Sequence, residues 1–246
     1  MLSIRGVATG YGKVQILRGI DMSVSEGQIV ALLGGNGTGK STLLKAISGL
    51  LPVWDGTIEF EGEPIQNRQP NEIVKRGLTQ VTQGKDMYPA MTVEENLKIG
   101  AYTRRDRAGV AADMDKVFDY FPVLGERRRQ LAATLSGGEV QMLVIGRGLM
   151  ARPKLIMLDE PSSALAPRIV LDIFSIVNRI SRNEGITILL VEQNVRMALL
   201  LAEYGYVIRD GVVHIEGESN DLITDDNVRL AYLGGTVTDA GAELAH

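Results

Sequence analysis

Eight residues near the N-terminus constrain the fold of this chain more than any other feature. Residues 34–41 read GGNGTGKS and match the pattern G-x-x-x-x-G-K-[ST]. They follow an apolar segment, residues 28–33, that predicts a buried parallel strand, and they precede a predicted helix. Glycines let successive backbone N–H groups surround phosphate oxygens, and a helix N-terminus attracts the same anion. The chain is therefore predicted to be an α/β protein that binds a nucleotide phosphate.

The side chains of this segment, called the phosphate loop below, have the chemistry that a nucleotide needs. Lys40 places a positive charge at the β- and γ-phosphates, and the Ser41 hydroxyl is an oxygen ligand for Mg²⁺. The residues predicted to bind the nucleotide at this point are Gly34, Asn36, Gly37, Thr38, Gly39, Lys40, Ser41 and Thr42.

A second motif ends an apolar strand with two carboxylates. Residues 155–160 read LIMLDE, so Asp159 ends the predicted strand and Glu160 follows it. Beside the phosphate loop, Asp159 would bind Mg²⁺ directly or through water. Glu160 would polarise an attacking water as a general base. An ordinary polar turn after a strand is the other interpretation of Asp-Glu-Pro, and the preceding phosphate loop makes it the weaker one.

The remaining pattern alternates short apolar runs with longer stretches of helical period, which is typical of α/β domains. Residues 93–150 are an exception, because they predict helices throughout, including one over residues 111–121. The arginines at 127–129 are expected to form a solvated helical face without a functional role. Other predicted elements are buried strands at 154–158 and 187–191, a helix at 167–183, an antiparallel β edge at 2–8 and 15–24, and a hairpin of 206–209 with 212–216.

Composition excludes several other classes of protein. The chain has no cysteine and two histidines, which rules out disulfides, zinc-thiolate sites and thiol catalysis and disfavours histidine-based chemistry. Its 26 basic and 30 acidic side chains give a net charge of -4, which argues against nucleic-acid binding. No apolar run approaches the roughly 18 residues of a membrane span, and no signal-peptide pattern is present. A cytosolic globular protein is expected.

A third motif separates classes of phosphate-loop protein. Residues 135–139, LSGGE, are called the signature segment below. Ser136 can cap the helix that follows, while Gly137 and Gly138 expose N–H groups at its positive end. Alone, this is an ordinary capped helix start. Between the phosphate loop and the strand that ends at Asp159, it resembles the signature of the ATP-binding cassette (ABC) ATPases.

The resemblance extends from Leu2 to about Gly234 and implies the ABC ATPase architecture. That architecture is a P-loop NTPase core with a mixed sheet, helices on both faces and an N-terminal antiparallel β part, into which a helical subdomain is inserted. We expect one domain over residues 1–234, with the core at 1–91 and 151–234, the subdomain at 92–150 and a flexible tail at 235–246.

The same resemblance assigns further site residues. Tyr11 matches the aromatic that stacks on adenine. Gln83 matches the Q-loop glutamine, which meets Mg²⁺ and the attacking water and reports to a membrane partner. Residues 161–166 match the D-loop. Ser136, Gly137 and Gly138 are expected to contact ATP bound by a second chain, and residues 84–91 are expected to form an exposed apolar lip for a permease helix.

Departures from the common family pattern indicate a branch. Gln193 stands where most members have a catalytic histidine, Ala166 replaces the usual D-loop aspartate, and Val140 replaces a common glutamine. Gln193, in VEQN at 191–194, and the segments LAP at 165–167, TVEENL at 92–97 and AYLG at 231–234 resemble the LivF-type ATPases of branched-chain amino acid importers. The urea or amide importer ATPases of the same branch, an exporter ATPase and, less so, a non-transport ABC ATPase remain alternatives. No guanine-specific Asn-Lys-x-Asp motif supports a GTPase.

The resemblance also implies the setting of the activity. ATP and Mg²⁺ are the expected cofactors. Expected partners are transmembrane permease subunits, a second ABC ATPase subunit (a heterodimer is favoured, with a homodimer as the alternative) and, indirectly, a solute-binding protein. Nucleic acid is not expected. The chain should lie on the cytoplasmic face of the plasma membrane, held there by the permease.

Overall fold

The computed structural model describes residues 1–84, 86–225 and 228. The predicted tail at 235–246 and the motif at 231–234 lie outside the described residues. In chain order the elements are β1 (Leu2–Tyr11), β2 (Val14–Val24), β3 (Ile29–Leu33), α1 (Lys40–Ile47), β4 (Asp55–Phe60), β5 (Glu63–Pro64), α2 (Pro70–Lys75), β6 (Leu78–Val81), α3 (Val93–Gly100), α4 (Arg107–Tyr120), α5 (Pro122–Glu126), a 3-10 turn (Ala132–Thr134), α6 (Gly137–Leu149), β7 (Leu155–Asp159), α7 (Pro167–Glu184), β8 (Thr187–Glu192), α8 (Val195–Leu201), β9 (Tyr204–Arg209), β10 (Val212–Glu218) and α9 (Ser219–Thr224).

A six-stranded sheet places the functional segments. Its strand order is β10-β9-β3-β8-β7-β6, and every pair is parallel except the β9–β10 hairpin. The predicted strands β3, β7 and β8 are fully buried along their length, as expected for a sheet covered on both faces. Because parallel strands end at the same edge, the residues after β3, β6, β7 and β8 meet there.

A second sheet is antiparallel, with the order β2-β1-β4-β5. The predicted N-terminal β edge is confirmed, and β1 continues to Tyr11, three residues beyond the predicted end. Sequence reasoning missed β4, which pairs with β1 and contains a glycine, and β6, which contains only four residues. Apolar residues of both sheets and of α1 form one buried cluster, so the phosphate loop is held between two packed layers.

Over residues 93–150 the structure has helices and turns, as predicted, apart from an isolated β-bridge that pairs Leu131 with Thr92. The predicted helix at 111–121 begins four residues earlier, at Arg107. Helices α3, α4 and α6 share a continuous hydrophobic cluster with the six-stranded sheet, in which Leu97 and Leu143 lie with Ile156. The division of the chain into a core and a subdomain stays a prediction.

The arginines at 127–129 do not form a helical face, which corrects the prediction. Helix α5 ends at Glu126, and the next three residues form a turn. There Arg127 pairs with Glu139 at 3.1 Å and Arg128 pairs with Glu94 at 3.0 Å. These carboxylates on α6 and α3 hold the arginines on the turn.

No helix of the described residues is long and apolar enough to cross a membrane.

Candidate nucleotide site

The phosphate loop adopts a conformation that requires its glycines. Gly34 and Gly39 have φ angles of 153° and 110°, which residues with a side chain rarely adopt. A Cβ at Gly34 would lie 2.5 Å from the backbone oxygen of Ile208, and one at Gly39 would lie 2.6 Å from Leu17 Cδ2. Helix α1 begins directly afterwards, so its N-terminal N–H groups face the loop. The loop is therefore a closely packed, anion-binding turn.

Lys40 carries a buried positive charge into this loop. Its side chain is 4% exposed and donates to the backbone oxygens of Gly34 and Gly35, each at 2.9 Å. The Lys40 Nζ atom also lies 3.5 Å from Glu160 Oε1. The ammonium group thus stands between the loop and the carboxylate that follows β7, where it can balance phosphate charge.

Glu160 is the residue on which the other predicted side chains converge. It is 6% exposed, and its Oε2 atom accepts hydrogen bonds from Gln83 Nε2 and Gln193 Nε2, both at 2.6 Å. Gln193 Nε2 also donates to Asn36 Oδ1 of the phosphate loop at 2.6 Å. The backbone of Glu160 has φ 49°, an uncommon value for a side-chain-bearing residue. Two carboxamides and one ammonium group therefore fix this carboxylate.

Asp159 and Ser41 supply oxygen atoms beside Glu160. Ser41 Oγ donates to Asp159 Oδ1 at 3.4 Å, which joins the start of α1 to the end of β7. Burial raises the pKa of the Asp159 carboxyl, and the Ser41 hydrogen bond opposes that shift. Within the described residues, no cluster of three His, Cys, Asp or Glu side chains could hold a metal by itself. A hydroxyl and a carboxylate next to a phosphate loop fit Mg²⁺, which keeps waters and substrate oxygens as ligands.

Tyr11 lies at the end of β1, and its side chain is 46% exposed. Lys45, on α1, donates to the Tyr11 hydroxyl at 3.3 Å and lies 5.6 Å from the ring centroid. The ring is thus attached to the helix that follows the phosphate loop. Thr42 lies on the same helix and is buried.

The signature segment is held by hydrogen bonds among its own residues, and within the described residues it makes no hydrogen bond or ion pair with the phosphate loop. Ser136 Oγ accepts from the backbone of Glu139, and Glu139 Oε2 accepts from the backbone of Ser136, which is the predicted cap in its reciprocal form. In the part of the chain that the structure describes, the N–H groups of Gly137 and Gly138 make no hydrogen bond. Across the same residues, no hydrogen bond or ion pair links this segment to residues 34–41.

The predicted apolar lip at 84–91 is only partly exposed. Tyr88 and Pro89 are exposed, but Met87 and Met91 are half-buried, and Met87 packs against the hydrophobic cluster shared by α3, α4 and α6. Met87 is therefore partly a core residue, which corrects the prediction for that side chain. The Tyr88 ring lies 5.7 Å from the Arg147 guanidinium.

Sequence reasoning gave no role to Glu192, although it is 1% exposed and lies beside Gln193. The available signal was a charged residue at the end of a buried strand, the same pattern that identified Asp159 at the end of β7.

Comparison with known proteins places these features in a family. The sequence model of the ABC transporter family matches residues 17–163, which include the phosphate loop, the signature segment and the carboxylates Asp159 and Glu160. The chain belongs to the ABC transporter family. The fold, the family and the site together make it an ABC ATPase, as the sequence predicted.

Curated relatives support the same assignment over the full length. The high-affinity branched-chain amino acid transport ATP-binding protein BraG of Pseudomonas aeruginosa is 45% identical over 235 residues, covering 96% of this chain and 100% of that protein. The probable branched-chain amino acid transport ATP-binding protein LivF of Archaeoglobus fulgidus is 37% identical, covering 95% and 99%. The resemblance to the LivF-type branch is confirmed.

A solved structure confirms the architecture. The ADP conformation of an ATP-binding cassette of an ABC transporter superposes with a TM-score of 0.83 at 29% identity, covering 96% of this chain and 99% of that one. This ABC ATPase therefore has the predicted cassette fold.

Proposed function

We propose that this ABC ATPase hydrolyses ATP to power a membrane importer of branched-chain or related amino acids. One observation carries the enzymatic part: the buried Glu160 carboxylate accepts from Gln83 and Gln193 beside Lys40. Support for the solute comes from BraG and LivF, whose names state branched-chain amino acid transport. The urea or amide importers of the same branch and an exporter are the alternatives.

In the proposed mechanism, this chain's residues divide the work between binding and catalysis. The phosphate loop and Lys40 hold the triphosphate, and Tyr11 stacks on adenine. Ser41, Asp159 and Gln83 would hold Mg²⁺, which when bound neutralises phosphate charge. Glu160 accepts a proton from the attacking water.

Gln193 has a positioning role in this mechanism. Its amide NH₂ donates one N–H to Glu160 and the other to Asn36. If the second N–H turns from Asn36 to a γ-phosphate oxygen, Gln193 holds that oxygen and the base side by side. Glutamine has no proton that titrates near neutral pH, in contrast to the histidine that is usual here. Glu160 is thus the base in this site, and Gln193 orients it.

The assembly that we propose pairs this chain with a second ABC ATPase subunit, and a heterodimer is favoured. Ser136, Gly137 and Gly138 would then bind the γ-phosphate held by the other subunit. Within the described residues, the N–H groups of Gly137 and Gly138 at the start of α6 are unpaired, which supports this role because a helix N-terminus attracts phosphate.

The proposed location is the cytoplasmic face of the membrane, where the chain is bound to permease subunits and, through them, works with a solute-binding protein. Exposed Tyr88 and Pro89, which follow Gln83 by five and six residues, are the proposed contact for a permease helix. Replacing Tyr88 by glutamate should reduce transport while basal ATP hydrolysis continues. Leu171→Glu, which charges an equally exposed apolar side chain on α7, is the control. Equal effects of the two variants on transport would contradict the contact.

Uptake assays in the source organism test the transport function. Deletion of the gene should reduce uptake of labelled leucine, and wild-type protein but not Glu160→Gln should restore it. Unchanged leucine uptake with reduced urea uptake would identify the alternative importer class. Loss of efflux without loss of uptake would identify an exporter.

A further inference from the structure

Glu192 is a buried carboxylate for which the fold alone gives no reason. It ends β8 and is 1% exposed, and within the described residues it forms no ion pair. Burial raises the pKa of its carboxyl, and hydrogen bonds from Ser162 and Gln193 oppose that shift. Burying a carboxylate without a cation is costly, so a side chain of this kind near a reactive site indicates a functional role.

Three donors occupy both oxygens of this carboxylate. Oε1 accepts from the backbone N–H of Ser162 at 3.0 Å. Oε2 accepts from the Ser162 hydroxyl at 2.9 Å and from the Gln193 backbone N–H at 3.2 Å. The donors belong to two different loops, one after β7 and one after β8, so Glu192 joins these loops directly.

Each joined loop carries part of the reactive site. Ser162 lies two residues after Glu160 in a loop with positive φ angles at Glu160 (49°) and Ala164 (56°). Such angles are unfavourable for these residues and persist only where surrounding contacts hold them. Gln193 donates to Glu160 Oε2. The Glu192 carboxylate therefore holds the backbone on both sides of the Glu160–Gln193 contact.

We propose that Glu192 is a positioning residue. It holds residues 160–162 and Gln193 in the relative positions that align the Glu160 carboxylate. The inference rests on the proposed function, since Glu160 is taken as the base. Glu192 touches neither nucleotide nor water in this account and acts through Ser162 and Gln193.

The first test replaces Glu192 by glutamine in the full-length protein. Glutamine has the same shape, but its NH₂ replaces one acceptor oxygen and faces a donor, so at least one of the three hydrogen bonds is lost. We expect kcat for ATP hydrolysis to fall about 10-fold, the effect of one charge-assisted hydrogen bond, with the ATP dissociation constant unchanged. A wild-type kcat in the folded variant would overturn the proposal.

Ser162→Ala tests the same link from the other loop and remains informative if Glu192→Gln does not fold. It removes one donor of the three and should lower kcat by a smaller factor, with ATP affinity again unchanged. Both variants break the same hydrogen-bond network. The kcat of the double variant should therefore fall by less than the product of the two single-variant factors. Full additivity, or a wild-type kcat in Ser162→Ala, would contradict the link.

Glu203→Gln is the matched control. The Glu203 carboxylate also accepts a backbone N–H, that of Ile29 at 2.6 Å, but at the opposite end of β3 from the phosphate loop. The Glu203→Gln substitution should lower the midpoint temperature of thermal unfolding and leave kcat of the folded protein unchanged. Equal losses of kcat in Glu192→Gln and Glu203→Gln would show that Glu192 has a purely structural role, and would overturn the proposal. Turnover retained in Glu160→Gln would instead refute the assignment of the base.

Discussion

The edge of the six-stranded sheet and the start of α6 are both polar, glycine-rich regions, yet they are held in different ways. At the sheet edge, Glu160 contacts residues that are far away in the sequence: it accepts from Gln83 and Gln193 and lies 3.5 Å from Lys40. At the start of α6, the Ser136–Glu139 cap is purely local.

The difference indicates what one chain supplies by itself. The sheet edge has its cation, its carboxylates and its orienting amides in mutual contact, so it is organised to bind and hydrolyse a nucleotide. The start of α6 is rigid but leaves the N–H groups of Gly137 and Gly138 unpaired within the described residues. In the proposed dimer, it would receive an anion that its own phosphate loop does not bring to it. Four predictions test this contrast, from the largest expected effect to the smallest.

Glu160→Gln should have the largest effect, because it removes the base and keeps the side-chain shape. We expect ATP turnover to fall about 100- to 10,000-fold, the usual contribution of a general base, while ATP affinity stays close to wild type. Turnover and binding measured on the same preparation check this. Retained turnover would remove Glu160 from the mechanism.

Gln193→Ala should lower turnover about 10- to 1,000-fold, the range for one lost transition-state donor. ATP binding should change little. Gln193→His is the matched variant and should stay active, since histidine supplies a donor of similar reach. If Gln193→Ala kept full activity, the contact between Gln193 and Glu160 would be incidental.

Lys40→Ala should weaken ATP binding about 10- to 100-fold, which corresponds to the loss of one charge-assisted hydrogen bond. Lys154→Ala removes an exposed lysine before β7, at the far end of the sheet, and serves as the control. Calorimetry on both folded variants makes the comparison. Equal affinities would show that Lys40 does not contact the phosphates.

In the isolated chain, Ser136→Ala should affect stability rather than nucleotide binding. It removes the side-chain acceptor of the cap and should lower the free energy of unfolding by about 1 kcal/mol. Urea unfolding of this variant beside Ser25→Ala, which changes an exposed serine directly after β2, measures the effect of the cap. An unchanged free energy of unfolding in Ser136→Ala would mean that the cap does not stabilise α6.

The sequence predicted local features well, because each depends on neighbouring residues. The phosphate loop, the Asp159–Glu160 pair and the Ser136 cap are of this kind. The convergence of Gln83 and Gln193 on Glu160 was beyond prediction from pattern, because it depends on the strand order β3-β8-β7-β6. Family resemblance identified both glutamines but not their shared acceptor.

Most of the other errors also occur where contacts between distant parts of the chain decide the structure. The short strand β6 gives too little periodicity to recognise, and β4 is defined by its antiparallel pairing with β1. The half-buried state of Met87 depends on packing against helices that come later in the chain. Glu192 was overlooked because its partners, Ser162 and Gln193, lie on separate loops.

The central claim is that one chain binds ATP at the sheet edge without its own signature segment. ATP affinity of the isolated chain, measured by calorimetry for Lys40→Ala and Ser136→Ala side by side, tests it most directly. We predict weakened binding in Lys40→Ala and wild-type binding in Ser136→Ala. Equal loss of affinity in both folded variants would show that the two regions bind the same nucleotide within one chain, and would contradict the account.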